Sequence, residues 1–149
     1  MIDHALDARV RLHVFNSFVD DGRPPTHGET AAALGITDDE AGASYVRLSE
    51  GRVLVLAPGT LSIWMANPLS AYPTAFWVET PRGSYWGSCI WDAFGVVSML
   101  GGTGTVRTHC ADCGAPLEFH VEDGGLLPAD GVAHFAVPAR RWWENIGYA

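Results

Sequence analysis

Cys89 and Asp92 stand three residues apart and are the side chains of this sequence best equipped for chemistry. They belong to the run Ser84-Tyr85-Trp86-Gly87-Ser88-Cys89-Ile90-Trp91-Asp92-Ala93-Phe94-Gly95. Gly87-Ser88 breaks the extended aromatic pattern before it, and Ser88 is a natural helix N-cap. A helix starting there puts Cys89 in the first turn, where free N–H groups and the helix dipole favour negative charge, so the thiol pKa is expected to fall. Asp92 then shares a helix face with the sulfur. A thiolate beside a proton-carrying group can attack a soft electrophile and hand a proton to what leaves. The plainer alternative is a small buried cysteine among aromatics, followed by an acidic residue suited to a helix start.

The other thiols are Cys110 and Cys113, in the run Cys110-Ala111-Asp112-Cys113-Gly114. This is half of a zinc knuckle, but no second Cys-x-x-Cys exists. His109, His120, His134 and Cys89 are the remaining soft candidates for a structural zinc. A tight turn between strands is the simpler reading, with Cys110 partly buried and Cys113 available as a further thiol. Trp142-Trp143 either covers the cleft above Cys89 or staples the end of the chain to the core. An odd number of cysteines without a secretory signal argues for reduced thiols and a cytoplasmic protein.

These groups need elements to hold them. Leu6, Val10, Val14 and Phe18, widened by Phe15 and Val19, make an amphipathic helix over 3–19. Thr26-His27-Gly28-Glu29 opens a short helix to Leu34, stopped by Gly35. Thr37 with Glu40 is a capping box for a third helix to about Leu48. Strands follow at 52–56 and 61–65, around the Pro58-Gly59 turn. Three helices and a two-stranded wing are the outline of a winged helix-turn-helix. The third helix, however, opens with Asp38, Asp39 and Glu40 and offers only Arg47 to a phosphate, which argues for packing and against DNA binding.

Residues 66–75 read as an ordered, proline-containing connector. A hairpin at 76–79 and 84–86 turns at Pro81-Arg82-Gly83, a helix runs from Ser88 to about Leu100, and strands are expected at 105–109, 117–121 and 131–137. The class is α+β: a three-helix, winged-helix-like region over 1–66, packed on a small mixed or antiparallel sheet with one central helix over 67–149.

At 149 residues, 48% hydrophobic and 17% charged, the chain can bury a real core. A formal charge of −8 disfavours nucleic acid and anionic membranes as partners, and no apolar run is long enough to span a bilayer.

Several segments together resemble the alkylmercury (organomercurial) lyase family. They are Asn67-Pro68-Leu69-Ser70-Ala71 with Pro73-Thr74, Tyr85-Trp86-Gly87-Ser88-Cys89-Ile90-Trp91-Asp92-Ala93, and His109-Cys110-Ala111 with Gly114-Ala115-Pro116. The last is His134-Phe135-Ala136-Val137-Pro138-Ala139, running into Arg141-Trp142-Trp143. The helical first half resembles that family's non-DNA-binding winged-helix domain.

The resemblance implies protonolysis of a carbon–mercury bond in a small organometal by two thiols and one aspartate, releasing Hg(II) and a hydrocarbon without a resident cofactor. Cys89 would be the first mercury-binding thiolate, Asp92 the group that takes a thiol proton and passes it to carbon, and Cys110 a structural cysteine. The family's second thiol falls, in this register, at Ala149, and no cysteine follows Cys113. The second sulfur would then come from Cys113 or from an external low-molecular-weight thiol. Otherwise Cys89, with Cys110 or Cys113, serves a non-catalytic Hg(II) or Cu(I) module, or the fold serves another substrate.

Overall fold

The structure, a computed structural model, describes residues 4–147. The expected helix start at residue 3 and the second-thiol position at Ala149 lie outside the described residues.

Three helices come first: α1 (His4–Asp21), α2 (His27–Leu34) and α3 (Asp38–Glu50). Both α2 and α3 begin with reciprocal capping boxes. Thr26 Oγ1 accepts from Glu29 N at 3.1 Å and Thr37 Oγ1 from Glu40 N at 3.2 Å, while each glutamate returns the bond to its cap's backbone. Gly35 closes α2 with a φ of 65°, a conformation costly for any side chain with a Cβ. Val10, Val14 and Phe18 fill the interior of the helical layer. Tyr45 joins α3 to the start of α2, its hydroxyl donating to the Pro25 carbonyl at 3.0 Å.

Asp7 joins α1 to α3. Its carboxylate receives Ser44 Oγ at 2.6 Å, Arg47 Nη2 at 2.6 Å and Arg47 Nε at 2.9 Å, and the guanidinium holds its pKa below the ordinary carboxylate value. A lowered folded pKa means that the stabilisation is present above the unfolded pKa and is lost as the pH falls through the folded one. Asp7→Asn is therefore expected to cost about 2 kcal/mol at neutral pH, with the gap from wild type closing in acid. Urea unfolding at neutral and acid pH measures both; a pH-independent gap would assign the loss to packing.

Eight strands follow in one sheet, every pairing antiparallel: β1 (Val55–Leu56), β2 (Ile63–Ala66), β3 (Leu69–Ser70), β4 (Trp77–Thr80), β5 (Gly83–Gly87), β6 (Gly104–His109), β7 (Pro116–Glu122) and β8 (Gly125–Leu127). Their spatial order is β1-β2-β3-β5-β4-β6-β7-β8. The wing strands β1 and β2 thus continue into the sheet of the second half through the pairing of Met65 with Ser70. Among the described residues the one later α-helix, α4 (Ile90–Met99), lies across β3 to β6, burying Ala93, Val96 and Val97 against Leu69, Val78 and Val106, and a short 3-10 helix follows at Ala139–Glu144. Tyr85 on β5 ties this layer to the helices, its hydroxyl donating to the Val19 carbonyl at 2.8 Å. No helix of the described residues is long and apolar enough to cross a membrane.

The α+β architecture with a central helix stands as expected, and the sheet is antiparallel. Three local readings change. The connector contributes strand β3. No strand forms over 131–137, where Val132 is 94% exposed and the backbone pairs with no neighbour among the described residues. The last strand is instead β8, which precedes that run and is returned by Asp123-Gly124 with φ values of 49° and 76°, the left-handed pair that a tight two-residue hairpin needs.

Candidate active site

Cys89 lies where β5 gives way to α4, and the hand-over is held from several sides. Gly87 pairs with Leu69 of β3, donates its N–H to the Phe76 carbonyl at 2.9 Å, and presents its own carbonyl to Thr74 Oγ1 at 2.6 Å. The strand end runs so close to α4 that a Cβ on Gly87 would come within 2.7 Å of the Ala93 backbone. Gly87→Ala is accordingly expected to push α4 outward and cost about 1–3 kcal/mol, with a parallel loss of whatever Cys89 binds. Thermal melts and mercury titration of the variant would show it; an unchanged melting temperature would mean that the strand end yields freely.

The N-cap of α4 is Cys89 itself, in place of the expected Ser88. Its backbone is extended, its carbonyl takes the first helical bond from Ala93 N at 2.9 Å, and its sulfur accepts from Asp92 N at 3.5 Å. The Trp91 N–H is directed at the same sulfur. Ser88, displaced one residue outward, has a buried Oγ with no hydrogen-bond partner.

The thiol pKa moves opposite to the expectation from helix position. Burial raises it above the ordinary thiol value, the amide bonds from Asp92 and Trp91 only partly offset that, and the nearby Asp92 carboxylate raises it further. Burial also raises the Asp92 pKa, against the lowering effect of the neighbouring Cys89 thiol. Both groups are half-buried, and burial disfavours the charged form of each.

Around this pair is a cavity of about 330 Å³. Met65, Asn67, Tyr72 and Thr74 line it from the β2–β3 side; Phe135, Trp142, Trp143, Ile146 and Gly147 close it from the chain's last segment. Larger hollows of about 620 and 650 Å³ occur elsewhere, beside the β1–β2 turn and between α1 and α3. Neither contains a cysteine, and the smaller cavity holds the reactive pair.

The closing segment is folded on itself. Trp142 Nε1 donates to the Val137 carbonyl at 2.7 Å, and Phe135 packs on Trp142 with ring centroids 5.2 Å apart. Arg52, in the turn after α3, reaches across to the Trp143 ring, its guanidinium carbon 5.4 Å from the centroid. Arg52 adopts a left-handed φ of 61° in doing so. The tryptophan pair therefore covers the cleft as well as fastening the segment.

Cys110 and Cys113 are elsewhere. They occupy the turn between β6 and β7 and do not line the Cys89 cavity. Among the described residues no group of three or more His, Cys, Asp and Glu side chains could hold a metal ion. The wall residues Asn67, Tyr72 and Thr74 received no role from sequence, although Asn67 and Thr74 fall in segments that carry the family resemblance. Arg52 carried no signal at all.

The fold and the site together define an α+β protein with a cysteine–aspartate pair under an aromatic cover. The sequence model of the alkylmercury lyase family, MerB, matches residues 69–149, more than half of the chain, and the chain belongs to that family. Among solved structures, the crystal structure of the mercury-bound form of MerB2 is similar with a TM-score of 0.64 at 20% identity, over 84% of this chain. This chain spans 59% of the length of that one, and the likeness concerns the fold. No curated protein matches the chain.

Proposed function

We propose that the protein is an alkylmercury-lyase-like enzyme that cleaves the carbon–mercury bond of a small organomercurial by protonolysis, with Cys89 taking mercury and Asp92 carrying the proton. The observation that supports this most directly is that Cys89 and Asp92 line the same aromatic cavity, with Asp92 N donating to the Cys89 sulfur at 3.5 Å.

The substrate enters as R–Hg–SR′, already carrying one external thiolate. Asp92 takes the Cys89 proton as the sulfur bonds to mercury, so that two sulfurs enrich the metal and make its carbon basic. The Asp92 carboxylic acid then protonates that carbon, the carbon–mercury bond breaks, and R–H leaves. Hg(II) remains between Cys89 and SR′, and the carboxylate is restored. A further external thiol gives its proton back to Cys89 and carries Hg(II) away as Hg(SR′)₂. Each step balances with one protein thiol, because the external thiol supplies the second sulfur. Trp142, Trp143 and Phe135 keep water from the proton between transfers.

In this reading residues 67–149 carry the thiol chemistry, and residues 1–66 pack against them rather than reading DNA. A second reading is favoured by one fact: among the described residues Cys89 is the only cysteine lining the cavity. On that reading the pocket traps a soft cation such as Hg(II) or Cu(I) without turnover. Headspace analysis of the protein with phenylmercury and excess external thiol separates the two. Benzene accumulating over many turnovers is the expected result; mercury retained one-to-one on Cys89 with no benzene would establish the trap and sink the lyase.

A further inference from the structure

We propose that Cys110 and Cys113 form a second soft-metal site, a two-thiolate seat for Hg(II) on the β6–β7 turn, separate from the Cys89 cavity. It rests on the proposed function only for Hg(II) being the soft ion supplied to it.

The turn brings the two sulfurs together. Cys110 N donates to the Ala115 carbonyl at 2.8 Å and Gly114 N to the Cys110 carbonyl at 2.9 Å, while Gly114 takes the left-handed φ of 72° that lets the chain reverse. The Cys113 thiol and the backbone N–H groups of Asp112 and Cys113 lie near enough to the Cys110 sulfur to act on it. Cys113 is exposed and Cys110 half-buried, so a metal complex in solution can reach both. The exposed Cys113 side chain is free to swing and widen the gap between the sulfurs to that of a linear pair.

The choice of cation follows from what surrounds them. Zn(II) needs four ligands, and among the described residues no third His, Cys, Asp or Glu joins the two cysteines. A pair of thiolates with nothing further suits a soft ion content with two sulfurs. Loading is a ligand exchange without redox change: Hg(SR′)₂ meets two protein thiols, two S–Hg bonds form as two break, and the two thiol protons leave on two R′SH. This is the form in which mercury would depart from Cys89, so the product of the proposed reaction is a complex that the turn can accept.

The test uses the Cys89→Ser protein, which has no turnover, so its result is independent of whether wild type makes benzene. Hg(II) is supplied as its complex with a small excess of N-acetylcysteine and retention is read by native mass spectrometry. Expected is about one mercury per chain with two protons displaced, as in other thiolate sites. Retention should vanish in Cys89→Ser/Cys113→Ala, and equally when the thiols of folded Cys89→Ser are first alkylated, which needs no second variant to fold. A Cys89→Ser protein that emerges without mercury overturns the site. So does retention that survives loss of Cys113, or a preference for Zn(II) offered in competition.

Discussion

Cys89→Ser is expected to abolish benzene release from phenylmercury while leaving the protein at least as stable as wild type. The two halves of that result have one origin. The residue at position 89 does two jobs: it caps α4, accepting from Asp92 N at 3.5 Å, and it offers a thiol to the cavity. Sulfur is a poor acceptor for the first, whereas a serine hydroxyl is among the best N-caps, so the substitution improves the helix start by up to about 1 kcal/mol. Oxygen is too hard for the second, so mercury capture and turnover go together. Thermal melts beside headspace assays read both effects. A Cys89→Ser protein that still released benzene at the wild-type rate would move the nucleophile elsewhere.

Asp92→Asn is expected to separate binding from cleavage. The thiol remains and mercury still binds, but no group is left to carry its proton to carbon, so turnover falls by roughly 10²–10⁴-fold. Because burial raises the Asp92 pKa, its charged form is disfavoured in the folded protein. The sign follows: this penalty is absent below the unfolded pKa and grows as pH rises through the folded one. Asn escapes it, so the variant should melt higher than wild type at neutral pH, and the advantage should fade in acid. In the wild type the productive state has one proton shared by the pair. Its pH–rate profile should fall on the acid side above the ordinary carboxylate range and on the alkaline side above the ordinary thiol range, as macroscopic values of the pair. Equal cleavage by Asp92→Asn and wild type would remove the proton-carrying role.

Much of this arrangement was legible from local chemistry. The capping boxes at Thr26 and Thr37 depend on residues three apart, and so does the facing of Cys89 and Asp92; all appear in the structure where spacing puts them. What was not legible depends on neighbours distant in sequence. The helix dipole alone predicts an acidic Cys89, and the opposite shift comes from burial that only the folded protein supplies. Residues 131–137 have strand composition but find no ladder, whereas the two-residue β3 is made by its partners on both sides, despite the prolines around it. The Asp123-Gly124 hairpin did carry a local signal, and β8 could have been read from it. The reach of Arg52 to Trp143 spans 91 positions and has no trace in either local sequence.

The hydrogen-bonded ladder has no gap between β2 and β3. Residues 4–66 are therefore the selvedge of one fabric rather than a separate piece sewn to it. Cutting the chain at the start of the family-matched segment would unravel a sheet instead of severing a linker. It would also strip Met65 and Arg52 from the cavity and its cover. The first half of the chain thus supplies Met65 to the wall of the pocket and Arg52 to its cover.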